Sequence, residues 1–275
     1  MTNPLPLSAA DLRSFKAFGF LVLRQVLNRD ELRTMDGEFC AAMAAQHATP
    51  FDGTQRRNAG LLGQDTPFFS SLLDDPRLLD VARQLMGEDI LGICVDGNRY
   101  VGDTSWHPDH TSNLLPGLKF AIYLQSVRGA NGALRVVPGS HLSCPWTDEF
   151  SQGMWNTPIA QVPAFVLDSD PGDVVVFDTR LWHGSSGGSA DRRMSTVVYY
   201  ANPASPEAVA AFQRQGELII ESLRLAGAAQ HWLYPASWLA QPQMSLTRRR
   251  WIERLTEIGF LTTPGLIEPP LATAR

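Results

Sequence analysis

The chain has 275 residues, 44% of them hydrophobic and 19% charged, with a formal net charge of −5. That composition supports a large buried core, and no basic stripe argues for nucleic acid. Three cysteines (Cys40, Cys94 and Cys144) are odd in number and widely spaced, so they form neither a CxxC metal pair nor a disulfide framework, and a reducing cytoplasm is expected. Residues 1–11 lack a basic segment followed by an apolar run, and no apolar run approaches the ~18 residues of a membrane span, so neither a signal peptide nor a membrane anchor is expected.

Taken in order, Ser8 is placed to cap a helix running to Phe18, with Asp11 completing a capping box. Gly19 ends that helix, and Phe20–Leu23 reads as a short strand. Asn28 and Asp30 open a second helix with Leu32, Met35, Phe39 and Met43 on one face. Residues 50–63 are polar and read as a loop; an ordinary solvated connection is the expectation, a cover over a site the alternative. Pro76–Met86 is a further helix, stopped by Gly87.

From Ile90 the texture becomes β-rich. Runs at 90–95, 99–101, 118–124, 133–137, 165–167, 174–177 and 196–200 are separated by Asp-Gly-Asn, Pro-Gly, Gly-Ala-Asn-Gly, Pro-Gly-Ser and Pro-Gly-Asp. Many short strands between turn signals predict a mainly β fold with flanking helices. A double-stranded β-helix, the cupin-like jelly roll, is its metal-binding form.

After Pro203, Pro206–Leu225 and residues 246–258 have helical spacing. Between them Trp232, Tyr234 and Trp238 either dock the tail on the barrel, which is the expectation, or line a substrate mouth. Arg248-Arg249-Arg250 reads as a solvated helix face. The expected organisation is one domain over 1–275: helices and a first strand at 1–89, a jelly-roll core with the metal site at 90–202, and a helical, Trp-rich segment at 203–275.

Chemistry concentrates in Trp106-His107-Pro108-Asp109-His110, answered by Leu181-Trp182-His183-Gly184-Ser185 and then Arg192-Arg193. Two imidazoles and one carboxylate form the ligand set of a facial iron(II) site with open positions. If His107-x-Asp109 lies at a strand end, both side chains point to one side of the sheet. Arginine binds carboxylates bidentately, which suits a dicarboxylate co-substrate. A zinc pair of His107 and His110 is a weaker alternative, since HxxH lacks the i, i+4 spacing of helical metalloprotease sites. His110 is expected in the pocket or just behind the ligands, His141 in a structural role, and His47 and His231 at the surface or in packing. Arg99 and Lys119 are charges inside β-runs, seldom buried without a partner. They either hold a co-substrate or substrate anion or face solvent, as do Asp103 and Asn98.

These motifs resemble the phytanoyl-CoA dioxygenase family of Fe(II)/2-oxoglutarate oxygenases over about residues 8–202. The matching pieces are the first helix with Gly19-Phe20-Leu21-Val22-Leu23, the His107 segment, and Gly132-Ala133-Leu134-Arg135-Val136-Val137-Pro138-Gly139-Ser140-His141. Pro171-Gly172-Asp173, His183-Gly184-Ser185 and the arginine before a β-run ending in Tyr199-Tyr200 complete them. The resemblance implies a double-stranded β-helix, iron(II) on His107, Asp109 and His183, and 2-oxoglutarate and O2 as co-substrates. An arginine would bind the distal carboxylate, with Ser185 assisting. The loop at 184–191 is shorter than is common in the family, so either Arg192 or Arg193 fits that place, but not both, because one face of a strand looks into a barrel; Arg192 is slightly preferred. Arg99 and Lys119 are further candidates for the co-substrate, and Trp106, His110, Arg135 and Trp182 for the substrate pocket.

The reaction implied converts 2-oxoglutarate to succinate and CO2 and oxidises a substrate C–H bond. The intact ligand Asp109 argues for hydroxylation or a related oxidation rather than halogenation. Two other classes stand beside it: a cupin-like metalloenzyme that does not use 2-oxoglutarate, and a non-catalytic small-molecule binder on the same barrel. Without a nucleotide-binding loop for a CoA ester, the expected substrate is a free small molecule, a specialised metabolite. Its pocket should be shaped by residues 50–63 and the Trp-rich segment, which depart most from the family core.

Overall fold

The computed structural model describes residues 5–142, 148–225, 232–241 and 243–269. Helices α1 (Ala9–Phe18), α2 (Arg29–Gln46), α3 (Pro67–Leu72) and α4 (Pro76–Met86) lead the chain, interleaved with strands β1 (Phe20–Leu23) and β2 (Arg57–Gly60). The middle carries β3 (Ile90–Tyr100), β4 (Thr104–His107), β5 (Gly117–Tyr123), β6 (Leu134–Val136), α5 (Asp148–Asn156), β7 (Phe165–Leu167), β8 (Val174–Asp178), β9 (His183–Ser185) and β10 (Arg192–Ala201). Helices α6 (Pro206–Leu225), α7 (Ala236–Leu239) and α8 (Leu246–Glu257) follow.

The strands form two antiparallel sheets, ordered β1-β8-β5-β10-β3-β2 and β4-β9-β6-β7. This is the jelly roll expected from the turn-bounded runs. Alternation along each strand divides the large sheet into two faces. Val95, Phe120, Val176, Val197 and Tyr199 join Phe39, Phe69, Leu78, Phe212 and Trp251 in an outer core beneath the helices, whereas Ala121, Tyr123, Val175, Phe177 and Met194 face the smaller sheet. Full burial of each such aliphatic or aromatic side chain contributes roughly 1.5–3 kcal/mol.

Local signals account for the helix ends. Ser8 and Asp11 form the capping box of α1, closed by Gly19 in the left-handed region (φ 84°), and Asn28 with Glu31 forms another at α2. Other expectations need correction. Asp96-Gly97-Asn98 is not a turn: it lies within β3, hydrogen-bonded on both sides to β10 and β2. A Cβ at Gly97 would sit 2.9 Å from the Phe39 ring, so glycine serves close packing of α2 rather than chain reversal. Residues 57–60 form edge strand β2 where a loop was expected, and α3 and α5 are further elements that the pattern does not announce.

The tail docks through aromatics. The Tyr234 hydroxyl donates to Ile93 O (2.6 Å) and Trp251 Nε1 to Ile90 O (2.8 Å). Tyr234 and Trp238 are buried, in keeping with the packing role. Arg248 is not solvated: it is buried over the Trp238 ring and donates to Trp238 O (2.6 Å), because its helix face turns toward the barrel.

Candidate metal centre and its cavity

Strands β4 and β9 place His107 directly opposite His183, with ring centroids 4.3 Å apart. Between Thr104 and His107 the register shifts by a bulge. Two residues three apart therefore both reach the cavity while Trp106 turns away. The strand ends at His107, so Asp109 is not its i+2 partner on a strand. Asp109 is held instead by its own backbone N–H, which donates to Thr179 O at 2.8 Å.

Each imidazole is oriented from behind. His107 Nδ1 lies 2.8 Å from Ser105 O and His183 Nδ1 2.8 Å from Leu181 O. With Nδ1–H donating, each Nε2 lone pair is left for a ligand. One ligand atom from each of His107, Asp109 and His183 lies within 4.8 Å of the others. Asp109 Oδ2 is buried with no hydrogen-bond partner among the described residues, an orphaned acceptor that a cation would satisfy. The donor set therefore fits iron(II).

Protonation states agree with that fit. Burial, reinforced by His107, pushes the His183 imidazole down to about 3. Burial also lowers His107. At Asp109 burial acts to raise the carboxyl, but Lys119, His183 and His107 outweigh it and hold the group well below the usual carboxylate range. Neutral imidazoles and an ionised carboxylate are the forms that coordinate metal.

A cavity of about 450 Å³ opens from this centre. On β10, Arg192, Met194, Thr196, Val198 and Tyr200 line it, and Arg193 does not. Arg192 is 2% exposed, donates to Ser185 Oγ at 2.8 Å and lies over the Tyr100 ring at 4.8 Å. Among the described residues no carboxylate pairs with it. A buried guanidinium without a counter-charge is costly unless a ligand supplies one. Arg193 points the other way, ion-paired with Asp36 of α2. Arg99 likewise leaves the cavity, gripping Asp191 at 2.7 and 2.8 Å and covering Phe51. Lys119 does face inward, with Nζ 2.5 Å from Asp109 Oδ1. Burial opposes its charge, but Asp109 and Asp96 hold the ammonium above its ordinary value.

The four expected pocket residues do not line the cavity. Trp106 and Trp182 are buried behind the ligands with Met154 and Ile159. His110 Nε2 is 2.9 Å from Thr179 Oγ1, and Arg135 donates to Gly129 O at 3.1 Å. In their place stand Trp155 of α5, stacked on His107 with centroids 6.1 Å apart, and Leu218, Ile219 and Ser222 of α6. From the segment read as a solvated loop, Arg56, Asn58 and Gly60 reach the cavity, whereas the Trp-rich segment contributes Leu233. Asn98 also lines it, and Asp103 instead accepts from Gly188 N–H at 3.2 Å. His47 packs against Asn58 O at 2.8 Å and His141 beneath Gly19, both structural places. Of the cysteines, Cys40 and Cys94 are free; Cys144 and His231 lie outside the described residues.

The profile of the phytanoyl-CoA dioxygenase (PhyH) family matches residues 15–195. An ectoine dioxygenase of Sphingopyxis alaskensis is 28% identical over 222 residues, 68% of this chain and 72% of that protein. Among solved structures, HygX from Streptomyces hygroscopicus with nickel and 2-oxoglutarate bound superposes with TM-score 0.61 at 21% identity, over 70% of this chain and 87% of its own. The epimerase SnoN in complex with Fe3+, α-ketoglutarate and nogalamycin RO gives 0.58 at 19% identity, over 70% and 82%. The structural likenesses establish the fold, and the family match spans His107, Asp109, His183 and Arg192. The chain belongs to the phytanoyl-CoA dioxygenase family and is an iron/2-oxoglutarate-dependent dioxygenase.

Proposed function

We propose that His107, Asp109 and His183 hold iron(II), that Arg192 and Ser185 bind the distal carboxylate of 2-oxoglutarate, and that the enzyme oxidises a C–H bond of a free small molecule. The observation that carries this reading is the buried Arg192, bonded to Ser185 and without a carboxylate partner among the described residues, inside the cavity that holds the triad. A cupin-like enzyme without 2-oxoglutarate would have no use for such an arginine.

Bound iron supplies O2 activation coupled to decarboxylation of 2-oxoglutarate, giving succinate, CO2 and an oxidised substrate; the residues supply position and environment. Ser185 aims the Arg192 guanidinium. Lys119 fixes one oxygen of Asp109 and leaves Oδ2 for the metal. Trp155 over His107, with Leu218 and Ile219 on α6, gives the reacting end of the cavity an apolar wall. The relative named for ectoine supports a substrate of free-metabolite size. Among the described residues no helix is long and apolar enough to cross a membrane, which is compatible with action in the cytoplasm.

The test is O2-dependent conversion of 2-oxoglutarate to succinate after anaerobic iron(II) loading. Turnover that disappears in His107→Ala is expected. Metal binding with neither binding nor turnover of 2-oxoglutarate would favour the cupin-like class instead.

A further inference from the structure

The cavity has a second polar wall, made of side chains other than the metal ligands and Arg192. It is built on β2 and β3, where Asn58 lies opposite Asn98 in register. Asn58 is 6% exposed and lines the cavity, yet its Oδ1 has no hydrogen-bond partner among the described residues. A buried amide oxygen without a donor is costly and rare in folded proteins. Asn98 Oδ1 accepts from Arg56 Nη2 at 2.6 Å, and Asn98 Nδ2 donates to Asp96 Oδ1 at 3.2 Å. The Thr196 hydroxyl donates to the same Asp96 oxygen. Asp96 Oδ2 has no hydrogen bond from the described residues, and Asp96 lines the cavity. Arg56, over the Tyr100 ring at 4.4 Å, has no carboxylate partner among the described residues. Arg192 and Thr196 are two cavity-facing positions apart on β10, and Arg56 and Arg192 lie over the same Tyr100 ring, so this panel adjoins the carboxylate site along one wall of the cavity.

The panel therefore offers unspent acceptors (Asn58 Oδ1, Asp96 Oδ2) beside unspent donors on Arg56. Its charge is mixed: burial raises the Asp96 carboxyl above its ordinary value, and Lys119 and Arg56 act to lower it. A cationic substrate group would meet those two cations, and an anionic group would meet Asp96. Hydroxyls, which donate and accept without charge, satisfy every position. The same cavity is lined by Leu218, Ile219 and Leu223 of α6 and by Leu233, an apolar surface. Its volume of about 450 Å³ falls within the ~300–1,000 Å³ typical of small-molecule sites.

We propose that the substrate is a neutral molecule with an apolar body and a hydroxyl-bearing edge, and that Asn58, with Asp96, Asn98 and Arg56, reads that edge. This rests on the oxygenase reading of the cavity above. Asn58 is then kept unpaired in the free protein because the substrate completes it, and discrimination arises because an analogue without hydroxyls leaves buried polar groups unsatisfied.

The experiment uses the full chain loaded with zinc(II), which does not react with O2, together with 2-oxoglutarate. Two probes are titrated by ligand-observed NMR: phenyl β-D-glucopyranoside, and 2-phenoxytetrahydropyran, which keeps the aryl group and ring but has no hydroxyl. The glucoside is expected to bind at least about tenfold more tightly. Asn58→Leu should erase that preference without lowering Tm, since it removes an unpaired polar group. Arg56→Ala, at an exposed position, should narrow the preference in a protein whose fold is undisturbed. Equal binding of the two probes, no binding of the glucoside, tighter binding of phenyl β-D-glucuronide, or a preference unchanged in both variants would overturn the assignment. A fall in Tm for Asn58→Leu with the preference intact would make Asn58 structural and overturn it too. Titration of 2-oxoglutarate into the same wild-type protein reports separately. If it binds and the hydroxyl preference is absent, only the panel falls; if it does not bind and the preference stands, only the oxygenase reading falls.

Discussion

Arg192 and Arg193 are neighbours in the chain whose side chains leave β10 on opposite faces, Arg192 to Ser185 inside the barrel and Arg193 to Asp36 on α2 outside it. Strand alternation makes this division unavoidable once the register is set, and the pairing of Arg192 with Tyr100 and of Arg193 with Arg99 sets it. One arginine is placed to meet a ligand; the other ties a helix to the sheet.

Ser185 steadies the inner arginine through a 2.8 Å hydrogen bond. Removing the hydroxyl deletes one net interaction of about 1 kcal/mol, so Ser185→Ala should weaken 2-oxoglutarate binding roughly fivefold by calorimetry. An unchanged dissociation constant would show that Arg192 needs no such support.

Gly132 offers a test from outside the cavity. Its φ is +96°, and a Cβ there would stand 2.0 Å from Arg192 Nη1. Gly132→Ala should displace the guanidinium and weaken 2-oxoglutarate binding about tenfold or more, with about 1–2 kcal/mol of stability lost to the left-handed backbone. Native affinity in that variant would mean Arg192 is not needed in its observed position.

The orphaned Asp109 Oδ2 and the two oriented imidazoles predict that metal stabilises the fold. Zinc(II) at a hundredfold excess over its dissociation constant adds about 2.7 kcal/mol. That is a rise in Tm of several degrees for a chain of this size. His183→Ala should abolish the rise, and an equal rise in that variant would place the metal elsewhere.

Asp173, in the Pro-Gly-Asp turn before β8, makes a prediction about acid stability. It is 3% exposed and accepts from the backbone N–H of Gln25 and Asp170 (3.0 Å each) and from Arg24 (2.6 Å). Burial acts to raise its pKa, but the two backbone N–H groups, Arg24 and the Gln25 side chain outweigh it and leave the carboxyl below its usual value. A depressed folded-state value means the unfolded chain binds the proton first. The contribution is therefore complete above the unfolded value of about 4 and disappears as pH falls through the folded one. Asp173→Asn should cost about 2–3 kcal/mol at neutral pH and progressively less below pH ~4, read from urea unfolding at several pH values. A cost independent of pH would show that the carboxylate's charge plays no part.

Much of the fold is legible in local chemistry. Ser8 with Asp11, Asn28 at the head of α2 and the apolar runs of β5 and β8 between turn residues declare themselves because caps and turn signals act over a few residues. The ligand triad is legible because its residue types are rare in combination. Asp96-Gly97-Asn98 misleads because turn residues inside a central strand look local, while their cause is the Phe39 ring packed above Gly97. Arg99 and Arg193 misplace themselves for want of register: one residue along a strand decides between cavity and surface. Arg56, Asn58, Trp155 and the α6 face carry no short-range signal, since they converge only through the docking of separate elements.

The account stands most directly on which arginine receives the dicarboxylate, measured by calorimetric titration of 2-oxoglutarate into the zinc(II)-loaded protein. Wild type should bind, Arg192→Ala should lose about 2–4 kcal/mol of affinity, at least thirtyfold, and Arg193→Ala should stay within about threefold of wild type. Loss of binding in Arg193→Ala with Arg192→Ala unaffected, or no binding by wild type at all, would contradict it.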